Sequence, residues 1–254
     1  MIIDIHTHLM GREYKNQRKL LQQAMEQYQI SQIFVSGLTQ IPNPKSDAIR
    51  AYNDEVADFK RENETRVEGY VYVSPELPDA EYELRRGIED QGMIGLKIWM
   101  STRCDDPCID PIAERMIAYG YPILIHAMHK AVNQLPNESL GQHVAALARR
   151  YPELKIIMAH LGGNCYHGIP AIMDCPNVWV DHSSSIFRGD DLAYAVEMLG
   201  ADRVLFGSDM PGNYLVNVGQ VEERPISDEE KEKIYAKNAL RVFDSKFTPK
   251  GGLA

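Results

Sequence analysis

Cysteine is scarce: Cys104, Cys108, Cys165 and Cys175 are the only four in 254 residues. That argues against a secreted disulfide scaffold and makes a reducing cytoplasm the expected compartment. Cys104-x3-Cys108 has the spacing of a small metal clip but lacks a second pair, and ordinary thiols are the simpler reading. No apolar run approaches the length of a bilayer span, so no membrane partner is expected. The opening MIIDIHTH has no basic segment ahead of an apolar run, and no secretory leader is expected there. Basic charge is also in deficit. The formal net charge of −9 argues against nucleic acid or an anionic membrane as the main partner. Linkers, internal repeats, low-complexity tracts and a Gly-rich phosphate turn are missing too.

What is present is an ordinary globular composition, 44% hydrophobic and 25% charged, with enough chain to bury a substantial core. Eight short runs rich in Val, Ile and aromatics read as buried strands: 2–8, 31–37, 66–74, 93–100, 121–129, 155–161, 178–184 and 203–209. Amphipathic segments lie between them. In 18–29, Leu20, Leu21, Ala24, Met25 and Tyr28 share a face, and in 46–61 Ile49, Tyr52, Val56 and Phe59 do. Segments 138–150 and 189–199 follow the same pattern, with Ser46 as an expected N-cap and Gly200 as an expected C-cap. Ser227-Asp-Glu-Glu230 is a capping box that opens a last helix running to about Phe243. Strand–helix alternation repeated eight times predicts an α/β fold, a closed (β/α)8 TIM barrel. It occupies 1–254 as a single domain, with a loose tail after about residue 247. An open doubly wound sheet is the alternative.

Chemistry-bearing residues gather at the predicted strand ends. Asp4-Ile5-His6-Thr7-His8 closes the first strand, and side-chain alternation points His6 and His8 the same way, so they can chelate one ion. Asp4 is expected on that same face, deeper. His126 ends the fifth strand, His160 the sixth in His-Leu-Gly-Gly, and Asp209 the eighth in Phe-Gly-Ser-Asp. Polar side chains placed just after apolar runs are costly unless something pairs with them, and a metal ion at the barrel mouth is the simplest shared partner.

These pieces resemble the amidohydrolase superfamily, in the amidohydrolase 2 branch that includes aminocarboxymuconate semialdehyde decarboxylase-like proteins. The matching segments are DIHTH (4–8), YNDEVADFKRENETRVEGYVYVSP (52–75), GLKIW (95–99), ILIHAMH (123–129), MAHLGG (158–163), ADRVLFGSDMP (201–211) and ISDEEKEKIYAKNALRVF (226–243). The resemblance implies His6, His8, His126 and Asp209 as metal ligands. It implies His160 as the histidine that polarises substrate or shuttles a proton, or binds a second ion. Lys97 falls where some relatives carry a carboxylated lysine bridging two metals; a rim lysine paired with a carboxylate or substrate anion is the other reading. Such a ligand set suits Zn²⁺, one or two ions, with Mn²⁺, Fe²⁺, Co²⁺ or Ni²⁺ as alternatives. A metal-bound water with its pKa lowered toward about 7, Asp209 as proton acceptor and His160 at the oxyanion would hydrolyse an amide, ester or lactone of a small molecule. The alternatives are metal-dependent non-oxidative decarboxylation of an unsaturated or aromatic acid, and a non-catalytic small-molecule-binding barrel. Short loops tilt the balance to hydrolysis.

His182, ending the seventh strand, and Trp99 and Arg188, in the loops after strands four and seven, are the expected substrate contacts. An arginine there can clamp a carboxylate bidentately. A homodimer is the expected assembly.

Overall fold

Each expected apolar run contributes a strand, and the eight pair in chain order as one parallel sheet. They are β1 (Ile2–Met10), β2 (Ile30–Leu38), β3 (Val67–Tyr72), β4 (Leu96–Ile98), β5 (Ile123–Ile125), β6 (Ile156–Met158), β7 (Val178–Asp181) and β8 (Val204–Leu205). The Ile5 amide donates to the Phe206 carbonyl at 3.0 Å and Thr7 bridges Asp209 in parallel, which returns the last strand to the first and closes the barrel. The computed structural model describes residues 1–11, 14–39, 41–183 and 190–243. Arg188 and the tail after residue 247 lie outside the described residues.

A helix follows every strand: α1 (Tyr14–Gln27), α2 (Ser46–Glu62), α3 (Ala80–Arg85), α4 (Asp110–Tyr119), α5 (Gly141–Arg150), α6 (Cys165–Ala171), α7 (Asp191–Leu199) and α8 (Tyr214–Glu222). A final run joins α9 (Asp228–Glu232) to α10 (Asn238–Phe243) through a π turn. No helix among the described residues is long and apolar enough to cross a membrane. Ser227 and Glu230 form the expected capping box, and Gly200 ends α7 at φ 77°. Ser46 does not cap α2. Lys45 holds that position, and the Ser46 hydroxyl donates instead to Asp79 Oδ1 at 2.6 Å.

Side-chain alternation sorts the strands into two cores. Ile33, Val35, Val71, Ile98, Ile125, Met158 and Val180 face the helices. Ile3, Ile5, Phe34, Tyr70, Leu124, Ile157 and Leu205 fill the barrel, joined by Ala239, Val242 and Phe243 from α10. Phe243 packs on Phe34 with ring centres 4.2 Å apart, and the Lys155 ammonium donates to the Val242 carbonyl. The terminal helix therefore plugs the barrel at the end opposite the strand C-termini. Phe243→Ala would cost about 3–5 kcal/mol, as a buried aromatic does when truncated.

β1 departs from simple alternation. Its pairing with β2 shifts register between Asp4 and Thr7, as a β-bulge does. Ile3 and Ile5 therefore face inward, and His6 and His8 face inward after the shift. Asp4 does not share their face, contrary to the expectation from spacing. Its carboxylate turns to the helix layer, where it accepts from the Ser208 amide (3.1 Å), the Ser208 hydroxyl (2.6 Å) and the Tyr214 hydroxyl of α8 (2.5 Å).

Candidate metal centre

β1 carries His6 and His8 to the mouth and β8 runs on to Asp209 beside them. The His6 and His8 Nε2 atoms lie 2.9 Å apart. Asp209 Oδ1 is 3.4 Å from His8 Nε2 and 3.7 Å from His6 Nε2. Three donors each about 2.0–2.2 Å from one ion lie roughly 3.0–3.6 Å apart at ordinary coordination angles, so these three atoms fit a common ion. Two imidazoles and a carboxylate are the donor chemistry of a first-row divalent metal. Both rings are also oriented for it. His6 Nδ1 is 2.9 Å from Asp181 Oδ2 and from the Ser183 hydroxyl, and His8 Nδ1 is 2.7 Å from the Ser36 hydroxyl. The carboxylate holds the proton on His6 Nδ1 and leaves its Nε2 lone pair toward the centre.

Asp209 and His160 share a backbone feature. Asp209 has φ 65°, His160 φ 60° and Leu161 φ 49°, followed by Gly162 and Gly163 at φ 77°. Left-handed backbone costs a residue other than glycine roughly 1–3 kcal/mol. Here it turns the chain out of β6 and β8 so that two side chains reach the mouth. At Gly163 a Cβ would sit 2.4 Å from Met128 Sδ, which accounts for the second glycine of His-Leu-Gly-Gly.

His126, just past β5, and His160 form a second group. His126 Nδ1 is 3.3 Å from His160 Nε2, His126 Nε2 is 2.9 Å from Glu138 Oε1, and His160 Nδ1 is 2.8 Å from the Ser183 carbonyl. The His160 ring lies 5.0 Å from that of His6 and 5.1 Å from that of His126, so it stands between the two groups. Among the described residues, His6, His8 and Asp209 form one cluster able to hold a metal ion, and His6, His160 and Asp181 another.

The electrostatics keep the donors in their ligating forms. Burial, with the charge of Lys97, pushes His6 well below the usual imidazole value, and burial lowers His8 as well. Burial alone would raise the Asp209 carboxyl, but the charge of His160 and the hydrogen bond with His8 outweigh it and hold it well below the carboxylate range. Lys97 is fully buried inside β4, and its ammonium donates to His6 Nε2 at 3.1 Å. Burial lowers it to about 8.

The remaining expected contacts sit further out. His182 is buried, with Nδ1 3.3 Å from Gln220 Oε1, and it lines a water-sized cavity together with His160. Trp99 packs against Tyr72, Leu38 and Ile49, with 8% of its surface exposed. Outside the expected contacts, His129 stacks on His167 with ring centres 4.1 Å apart. Reasoning from sequence missed Asp181, Ser183, Ser36 and Glu138. Asp181 had a usable signal, as a carboxylate that ends a strand just as Asp209 does. Glu138 had none, since Asn-Glu-Ser ahead of a helix reads as a helix start.

Residues 3–244 match the amidohydrolase family Amidohydro_2. The γ-resorcylate decarboxylase of Polaromonas sp. (strain JS666 / ATCC BAA-500) is 24% identical, over 78% of this chain and 76% of its own. Among solved structures, a 2,6-dihydroxybenzoate decarboxylase from Rhizobium overlays with TM-score 0.76 at 19% identity, covering 95% of this chain and 98% of that one. A dihydroxybenzoic acid decarboxylase from Polaromonas sp. JS666, solved with manganese and 2-nitroresorcinol, overlays with TM-score 0.73 at 20% identity, covering 95% and 96%. With the family matched from the first strand to the last helix, the chain belongs to the amidohydrolases.

Proposed function

We propose that this chain is a metal-dependent, non-oxidative decarboxylase of a small hydroxylated aromatic or unsaturated acid. The observation that carries the reading is the convergence of His6 Nε2, His8 Nε2 and Asp209 Oδ1 beside the buried Lys97 ammonium, in a chain that resembles a γ-resorcylate decarboxylase in sequence and several decarboxylases in structure. The sequence placed hydrolysis first, but the same ligands serve both reactions. The loop-length argument for hydrolysis also weakens, since the overlay with the Rhizobium enzyme takes in 98% of that chain.

His6, His8 and Asp209 would hold a divalent ion; His126, which stands in the second group beyond His160, is the fourth ligand that the family resemblance implies, and the manganese of the Polaromonas structure makes Mn²⁺ as good a candidate as Zn²⁺. When bound, the ion supplies positive charge that grips the acid's oxygens and draws electron density from the breaking bond. The chain's own groups do the rest. Lys97 adds a cation that draws an anionic substrate into the mouth. His182 lines the wall beside His160. Losing CO2 from a carboxylate leaves an electron pair on carbon, and one proton must replace it. Asp209 is held ionised and is a ligand or acceptor, not a donor. His160 is the group placed to deliver the proton.

The test is protein purified without chelator, assayed for bound metal and then offered hydroxybenzoates, including 2,6-dihydroxybenzoate, alongside lactones and amides. Metal-dependent release of CO2 from an acid is the expected result. Turnover of a lactone or amide with no CO2 from any acid would reverse the assignment.

A further inference from the structure

We infer that Glu138 is a positioning residue of the centre, fixing the tautomer of His126 and so deciding which ring nitrogen that histidine offers to a metal ion. The inference rests on the reading of His126 as a ligand and adds the group that prepares it.

The chain leaves the barrel after β5 at Ala127 and returns at Ser139. The two residues form a parallel bridge, and the Met128 amide donates to the Ser139 carbonyl at 2.9 Å. This pinned excursion brings Glu138, 2% exposed, against the outer edge of the His126 ring. Glu138 Oε1 accepts from His126 Nε2 (2.9 Å) and from the Lys130 ammonium (2.7 Å), and Oε2 accepts from Gln134 Nε2 (2.8 Å). The Lys130 ammonium lies on the same oxygen that meets His126, and this ion pair keeps the carboxylate charged. An ionised carboxylate only accepts, so the proton of a neutral His126 must sit on Nε2 and the lone pair on Nδ1.

That lone pair faces His160 Nε2 at 3.3 Å. The far side of His160 is fixed in the same way, since the Ser183 carbonyl at 2.8 Å also only accepts and keeps a proton on Nδ1. Acceptors bound the chain at both ends. Were both rings neutral, their lone pairs would meet across the middle, so the gap calls for a positive species, either a proton on His160 Nε2 or an ion. The opposite tautomer of His126 would set a lone pair against Glu138 and aim an N–H where an ion must bind. Sequence gives no hint of this, because Glu138 is twelve residues from His126 along the chain and lies in an irregular loop.

The experiment combines nitrogen NMR of the histidine rings in metal-free protein with titration of Mn²⁺. His126 should be protonated at Nε2, and the finding of a proton on Nδ1 in the unaltered chain would overturn the inference without any variant. Glu138→Leu should lose the fixed tautomer and weaken Mn²⁺ on the order of 10–100-fold, while Glu138→Gln keeps an acceptor oxygen and the tautomer, and loses less. Gln134→Leu removes a loop contact to Glu138 and to the Met128 carbonyl but spares the bond to His126, and should bind Mn²⁺ nearly as the unaltered chain does. Unchanged affinity in Glu138→Leu, or an equal loss in Gln134→Leu, would reduce Glu138 to a loop brace. His126→Ala binding Mn²⁺ at full strength would instead sink the ligand reading, while the ring spectra still judge Glu138.

Discussion

The two sides of the barrel mouth are built differently. On the β1–β8 side, His6, His8 and Asp209 point donor atoms at one place within 3.7 Å of each other, with the Lys97 ammonium beside them. On the β5–β6 side, His126 and His160 are threaded into a line of hydrogen bonds that begins at Glu138 and ends at the Ser183 carbonyl. The first side is arranged to grip a cation, the second to hold and pass a proton. The Asp181–Ser183 segment couples them. Asp181 takes His6 Nδ1 on one oxygen and the His160 amide on the other.

Three substitutions probe that contrast, in falling order of effect. Asp209→Asn strikes the gripping side at a carboxylate that is both ligand and charge. Turnover should fall on the order of 10²–10⁴-fold, the usual scale for losing a group that acts in the reaction, with part of the metal retained. Steady-state rates at saturating Mn²⁺ measure it, and a variant with unchanged kcat would show that Asp209 has no part in the chemistry. Asp181→Asn touches both sides without removing a donor atom. It should weaken metal about 10–100-fold, as loss of an orienting carboxylate does, and disturb the ring signals of His6 and His160 together. Disturbance of one ring alone would mean that the two sides are independent. His182→Gln lies beside the second side but in neither, and its effect belongs to folding.

Burial pushes His182 down to about 4, against about 6.5 in the unfolded chain. The unfolded state therefore binds more protons between those values, and stability drops as pH falls from about 6.5 toward 4. This one ring accounts for roughly 3 kcal/mol at pH 4. Denaturant midpoints of metal-free protein across that range should fall less steeply in His182→Gln. Parallel curves for the two proteins would show that the ring takes up its proton inside the fold without penalty.

The sequence was legible where periodicity and strand ends coincide. All eight strands fall within or overlap their apolar runs, because alternation and β-branched residues report burial directly. Boundaries were less legible. β5, β6 and β8 stop at Ile125, Met158 and Leu205, several residues short of the expected ends, because the chain leaves the ladder to aim His126, His160 and Asp209. The fate of Asp4 was hidden for a related reason. Residues 4, 6 and 8 share parity, and only a register shift that no composition encodes separates them. Glu138, Ser183 and Ser36 were illegible because their roles depend on contacts between segments far apart in order.

The plug formed by α10 has a kinetic meaning. With side chains packed through the barrel and Phe243 seated on Phe34 at its base, no path runs through the molecule along the barrel axis, and whatever enters at the rim must retreat by the same opening. Under the proposed decarboxylation, CO2 and the larger product share that opening, and departure becomes a queue: the smaller fragment slips past the larger or waits behind it. Release, not bond breaking, is then the step that crowding at the rim would slow.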